Sequence, residues 1–254
     1  MVLLEYRGGD RMYLPVIRLD QLYRYRSSHS ASDPKLDKLG GDSWKLRKAK
    51  VKDAVLKLAH ELLELQARRA VHPGTAYPAR TNAMRRFEDA FAYTETRDQA
   101  QAIEEVVADL ARAEPMDRLV VGDAGFGKTE VAMRAAFAVC EAGRQVALLC
   151  PTTVLAFQHL QTFRERFEPF GLRVELLCRF TDNKDAAAIR RDLREGKVDI
   201  VIGTTQLLGR AVRYKDLGLV VVDEEHRFGV SQKERFKRIR AEVDYLALSA
   251  TPIP

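Results

Sequence analysis

Cysteine and long apolar runs are scarce in this sequence. Cys140, Cys150 and Cys178 are odd in number, widely spaced and set among apolar residues. That argues against a disulfide framework or a zinc site and suits reduced thiols in a core. No stretch reaches the roughly 18 apolar residues a membrane span needs, and Glu5 and Arg7 come too early for a secretory segment. A cytoplasmic location with no membrane partner is the expectation. Charge of one sign is scarce as well, with a net +6 over 254 residues. The excess is local: residues 1–90 hold 18 Lys and Arg against 11 Asp and Glu, and residues 91–254 hold 24 against 25. A basic front segment could face nucleic acid or an acidic protein surface, and an excess this small also suits a solvated face.

The length allows one α/β domain of about 150 residues plus an appendage. Two short β-type runs, residues 2–6 and 12–16, flank Arg7-Gly8-Gly9-Asp10-Arg11 and predict a hairpin, too small to be stable by itself. The polar stretch 27–34, followed by Gly40-Gly41, reads as a linker. Asp42 or Ser43 then caps a helix to about Arg69, with Trp44, Val51, Val55, Leu58, Leu62 and Leu65 on one stripe. Such a helix can pack on the flank of a domain or carry movement between domains. From Leu119 onward, β-branched runs at 119–121, 145–149, 173–177, 199–202, 219–222 and 245–248 alternate with helical segments. This predicts an α/β fold with a parallel sheet covered on both faces, whose ligands bind beyond the carboxyl ends of the strands.

Three constellations fall at such ends. Gly122-Asp123-Ala124-Gly125-Phe126-Gly127-Lys128-Thr129 matches G-x-x-x-x-G-K-T, follows a strand and opens a helix. Glycines let backbone N–H groups close on phosphate and the helix N-terminus adds its positive end, with Lys128 reaching the β and γ phosphates and the Thr129 hydroxyl reaching Mg²⁺. The run Val220-Val221-Val222-Asp223-Glu224-Glu225-His226 delivers acids from an apolar strand. Asp223 is the expected metal partner and Glu224 the base that orients water, although acids at a helix start also suit the macrodipole. Gln99, three residues after Thr96, either reads an adenine edge through its amide or closes a capping box.

Together with Pro151-Thr152-Thr153-Val154-Leu155-Ala156, Gly203-Thr204-Thr205 and Ser249-Ala250-Thr251, these motifs resemble superfamily 2 helicases and translocases. The resemblance implies a RecA-like P-loop NTPase sheet and an adenine role for Gln99. It places Glu130 with the nucleotide site, assigns Thr152, Thr153, Arg179, Phe180, Gly203 and Thr204 to the nucleic-acid backbone, and gives His226, Ser249 and Thr251 the coupling of hydrolysis to movement. Residues 122–137 and 223–230 are similar in particular to the bacterial transcription-repair coupling factors. Cys178, Thr205 and Arg97 depart from that family's usual Ser, His and Pro. The likeness extends to the front third, implying the last strands of an RNA-polymerase-interacting domain at 1–26, a linker and relay helix at 27–90, and a first motor lobe at 91–254. It implies ATP and Mg²⁺ as cofactors, and double-stranded DNA, RNA polymerase and excision-repair proteins as partners. The family's second lobe supplies an arginine worth about 10³ to 10⁵ in rate, so a chain stopping at Pro254 is expected to bind Mg-ATP and hydrolyse it weakly. A RecG-like fork remodeller and a non-catalytic nucleotide-dependent interaction module are the alternatives.

Overall fold

The computed structural model describes residues 1–22, 38, 42–71, 73–78, 81–209, 211–229, 232, 235–236, 239 and 242–250, without the side chains at 43–45, 47, 58, 62, 65–66, 68 and 70. The linker expected at 27–34, Gly40-Gly41 and Thr251 lie outside the described residues. The chain divides into two compact units, 1–64 and 65–254.

In the first unit, β1 (Val2–Glu5) and β2 (Arg11–Leu14) pair antiparallel from Val2↔Leu14 to Glu5↔Arg11. The Tyr6 N–H donates to the Asp10 carbonyl at 2.8 Å across the turn. This is the predicted hairpin. Its side chains alternate between half-buried and exposed with none buried, and Leu3 and Tyr13 face solvent. Helix α1 (Asp42–Val71) begins and ends close to its predicted limits. Of its predicted stripe, Val51 and Val55 are exposed; the side chains of Trp44, Leu58, Leu62 and Leu65 are outside the described set.

The second unit is built on six parallel strands. They are β3 (Asp117–Val121), β4 (Gln145–Leu149), β5 (Val174–Leu177), β6 (Ile200–Gly203), β7 (Leu217–Asp223) and β8 (Asp244–Ser249), in the order β3-β8-β7-β4-β6-β5. The inner strands were legible as apolar runs because they are buried on both faces, whereas the edge strand β3 alternates exposed and half-buried residues. On β4, Val146 and Leu148 face one core while Ala147 and Leu149 face the other. The first core is covered by α2 (Asn82–Asp89), α3 (Arg97–Leu110), α4 (Lys128–Glu141) and α5 (Thr153–Phe167), the second by α6 (Asn183–Glu195) and by Phe228 and Phe236. Each fully buried Val or Leu contributes roughly 1.5–3 kcal/mol. The first core reaches ahead of residue 91, taking in Tyr77, Met84 and Phe87, whose ring stacks on Phe137 at 4.2 Å.

At the amino-terminal edge of the sheet, the buried Gln145 amide makes four bonds. Its Nε2 donates to the Leu193 and Val198 carbonyls at 2.9 and 2.8 Å, and its Oε1 accepts from the Lys215 and Asp216 N–H groups at 2.8 and 3.2 Å. A satisfied buried amide of this kind fixes its neighbours rigidly. It ties the end of α6 to the segment that enters β7.

Candidate nucleotide and nucleic-acid sites

The nucleotide motifs meet along the carboxyl edge of β3, β8 and β7. Register pairs Val121 with Ser249 and Leu248 with Asp223, so the three chain ends stand one strand spacing apart, about 4.8 Å per step. The Gly122 N–H donates to the Ser249 carbonyl at 3.1 Å, and the Glu224 N–H donates to the Leu248 carbonyl at 2.8 Å. The end of β8 thus joins the phosphate loop to the acid box through main-chain atoms.

Gly125 and Gly127 have φ of +85° and +70°, which a side chain would strain. A Cβ at Gly127 would stand 2.1 Å from the Gln99 amide nitrogen. Lys128 turns back on its own loop, its Nζ donating to the Gly122 and Asp123 carbonyls at 2.6 and 2.9 Å. Thr129 is half-buried at the start of α4, and Ala124 and Phe126 are exposed. Gln99 realises the capping-box reading: its Oε1 accepts the Thr96 N–H at 2.8 Å and its own N–H reaches Thr96 Oγ1 at 3.3 Å. Its Nε2 also donates to the Phe126 carbonyl at 2.8 Å, which places the amide against the phosphate loop.

Asp223 and Glu224 leave β7 half-buried. Glu224 has φ 52° and ψ 53°, the one left-handed non-glycine among the described residues, a conformation costing roughly 1–2 kcal/mol. Its carboxylate meets His226 Nδ1 at 3.2 Å. Asp223 Oδ2 lies 3.0 Å from His159 Nε2 on α5. The sequence reading missed His159; its position within two turns of the start of a helix that begins at a recognised motif was the available signal. No group of three or more His, Cys, Asp or Glu is poised for a metal among the described residues. One carboxylate beside a phosphate loop suits Mg²⁺, which keeps waters and phosphate oxygens as ligands and needs no protein cage.

Glu130 is placed differently from expectation. Its carboxylate turns into the protein, where one oxygen accepts from Arg134 at 2.7 Å and from Arg166 at 3.0 Å. Arg134, 3% exposed, also reaches Glu95 at 2.6 Å and Glu88 at 3.2 Å. Buried charges persist only when paired, and this network was invisible in the sequence because its members lie on four segments. It brackets Phe91, with the Arg134 and Arg166 guanidiniums 5.9 and 5.7 Å from the ring centre, while the neighbouring Tyr93 is exposed.

The second set of motifs lies at the carboxyl ends of β4, β5 and β6. The Cys150 N–H donates to the Gly203 carbonyl at 2.8 Å, bringing the segments after β4 and β6 together. A Cβ at Gly203 would stand 2.2 Å from the Leu177 carbonyl oxygen, so only glycine fits. Thr152 caps α5, its hydroxyl accepting the Leu155 N–H at 3.3 Å. Among the described residues the side chains of Thr153, Arg179 and Thr204 make no hydrogen bond; Arg179 lies over the exposed Phe180 ring at 4.7 Å. Ser249 is buried and His226 exposed. Burial pushes the Cys140 and Cys150 thiols well above their ordinary range, and Cys178 is buried with them. No described helix is long and apolar enough to cross a membrane.

Comparison with known proteins matches this architecture. The transcription-repair-coupling factor of Bacillus subtilis is 49% identical over 99% of this chain, and that of Mycobacterium bovis 51% identical over all of it. The chain spans about a fifth of the length of these relatives, 21% of each. A structure of RecG bound to a three-way DNA junction superposes with a TM-score of 0.67 at 37% identity, over 79% of this chain and 26% of that one. Residues 96–254, from the capping Thr96 through the phosphate loop and the acid box, match the DEAD/DEAH box helicase family, and the chain belongs to that family.

Proposed function

We propose that residues 91–254 form the ATP-binding lobe of a double-stranded DNA translocase of the transcription-repair-coupling kind, with residues 1–26 as the end of an RNA-polymerase-interacting domain and residues 27–90, including α1, as its linker and relay helix. The observation that carries the motor reading is the pair of main-chain bonds through which the end of β8 holds both the phosphate loop and the acid box. Lys128 leaves the Gly122 and Asp123 carbonyls for the β and γ phosphates, whose charge competes better for an ammonium than two neutral oxygens do. Backbone N–H groups of 125–129 close on the phosphates at the start of α4. Thr129 and the free oxygen of Asp223 would hold Mg²⁺, which would supply positive charge against the phosphoryl group. Glu224 orients the attacking water, and His226 holds the Glu224 carboxylate. Gln99 donates to the adenine edge with its second amide hydrogen, and Tyr93 offers the open ring for stacking. Thr153, Arg179, Phe180 and Thr204 present free groups to a DNA backbone.

Lys128→Ala is expected to lower ATP turnover by about 10² or more and to weaken nucleotide binding. Glu224→Gln is expected to keep binding and lose turnover. A Glu224→Gln chain that hydrolyses ATP at the unaltered rate would refute the assignment. The RecG superposition favours a second reading, a fork remodeller acting on junctions. Capture of RNA polymerase by the full chain, lost when residues 1–26 are removed, separates the two, because a fork remodeller binds no polymerase.

A further inference from the structure

One concave surface of the second unit is left unused by the nucleotide chemistry. It lies between the outer face of α6 and the segment that follows the 3-10 turn Thr205–Leu208, and is lined by Ala187, Arg190, Arg191, Arg194, Ala211 and Arg213. Ala186, Ile189 and Leu193 turn the other face of α6 into the core, so Arg191 and Arg194 project outward by helical geometry while Arg190 stands half-buried at the edge of that face.

Four guanidiniums share this cleft with little to balance them. Arg191 pairs with Asp192 at 3.1 Å, but the other oxygen of that carboxylate is held by Arg173 at 2.9 Å. Arg190, Arg194 and Arg213 have no ion-pair or hydrogen-bond partner among the described residues. The Arg190 Nε is itself buried without an acceptor, which costs roughly 1–3 kcal/mol. The helix macrodipole accounts for a cation in the last turn, such as Arg194, and not for Arg190 or Arg213. The walls are also rigidly placed: the Leu193 carbonyl on α6 accepts from both the Gln145 amide and the Lys215 N–H. A fixed fork of unpaired guanidiniums is a receptor for phosphate oxygens.

We propose that this cleft grips the sugar-phosphate backbone of duplex DNA, as an extension of the contact made by the motifs at the carboxyl edge. It rests on the translocase reading above. Both walls continue directly from that edge, α6 from Arg179-Phe180 and the second wall from Gly203-Thr204. Arg190 lies seven residues into α6, about 10 Å along its axis, well within one turn of duplex, about 34 Å. The occupant is therefore the same duplex, reached farther along its length, and not a separate acidic protein.

The test titrates the 254-residue chain with a fluorescent 20-base-pair duplex between about 50 and 200 mM salt. Each phosphate contact contributes about 0.9 to the slope of log affinity against log salt. The Arg190→Ala/Arg213→Ala variant should flatten that slope by about 2, and Arg190→Lys/Arg213→Lys should retain most of it. Arg194→Ala/Arg213→Ala, which leaves the partly buried residue 190 intact, should show a similar flattening and guards against a folding defect. If the unaltered chain binds no duplex, the translocase reading and the cleft both fail. If it binds and Arg179→Ala flattens the slope while neither cleft variant does, the cleft alone is refuted. Polyglutamate binding that the cleft substitutions abolish while duplex binding stays intact would assign the surface to an acidic protein and overturn the proposal.

Discussion

The two halves of the six-stranded sheet handle their functional side chains in opposite ways. In the half formed by β3, β8 and β7, Lys128, Gln99, Asp223 and Glu224 are each engaged by a protein group. In the half formed by β4, β6 and β5, Thr153, Arg179 and Thr204 carry no such bond among the described residues. A nucleotide entering the first half must replace internal partners, so binding there exchanges one set of bonds for another and reshapes the site. A backbone reaching the second half meets groups that are already free. Under the proposed function, the first half is the one that rearranges on binding and the second is the one that needs no internal bonds broken.

The comparison can be tested by breaking each half in turn. The largest effect is expected from Arg134→Ala, which leaves the Glu130 carboxylate buried without its main partner and costs about 3–5 kcal/mol. Thermal unfolding should show the loss as a fall of roughly 10 °C, and an unchanged midpoint would mean the network carries no strength. Asp244, at the amino end of β8 in the nucleotide half, comes second. Desolvation raises its carboxyl from 3.8 to about 6, and it accepts the Met116 N–H. The folded state therefore holds its proton more tightly than the unfolded chain does. Stability from this group is complete below about pH 4 and is lost as pH rises through about 6, by roughly 3 kcal/mol. Denaturant unfolding at pH 4 and pH 7 should show that slope, and Asp244→Asn, which keeps an acceptor for Met116, should abolish it. Third, His159→Ala removes the group that orients Asp223, and the Mg²⁺ concentration for half-maximal turnover should rise about 10-fold or more. No change in Mg²⁺ dependence would reduce the contact to packing. The smallest stability effect belongs to the other half: Arg179→Ala should alter unfolding by no more than about 0.5 kcal/mol while flattening the salt dependence of duplex binding by about 1.

How much of this was legible depended on the range of the interaction. The inner strands of the sheet follow from local composition, because strands covered on both faces must be apolar along their length, as Val220, Val221 and Val222 show. The phosphate loop is equally local, since its glycines and helix start are contiguous. The pairing of His159 with Asp223 spans 64 residues, and no periodicity encodes it. Helix α2 went unread because only Met84 and Phe87 on it are buried, a pair three apart amid charge; the Thr81 cap was its one local mark. The left-handed Glu224 could not be foreseen either, since its backbone is held from outside by Leu248. Gln99 was legible as two alternatives, and the fold realises the cap while leaving one amide hydrogen for a ligand.

The bond from the Gly122 N–H to the Ser249 carbonyl has a consequence for genetics. Both of its atoms belong to the main chain, so no substitution at either position, save proline at 122, removes its donor or acceptor. Alanine scanning would pass over the contact and score Ser249 only for its hydroxyl. A backbone amide-to-ester exchange at residue 122, made by semisynthesis, removes the donor and keeps both side chains, while weakening the Val121 carbonyl as an acceptor. A link of this sort can stay fixed through sequence drift at both positions, and a survey confined to side chains would undercount how firmly the two loops are tied.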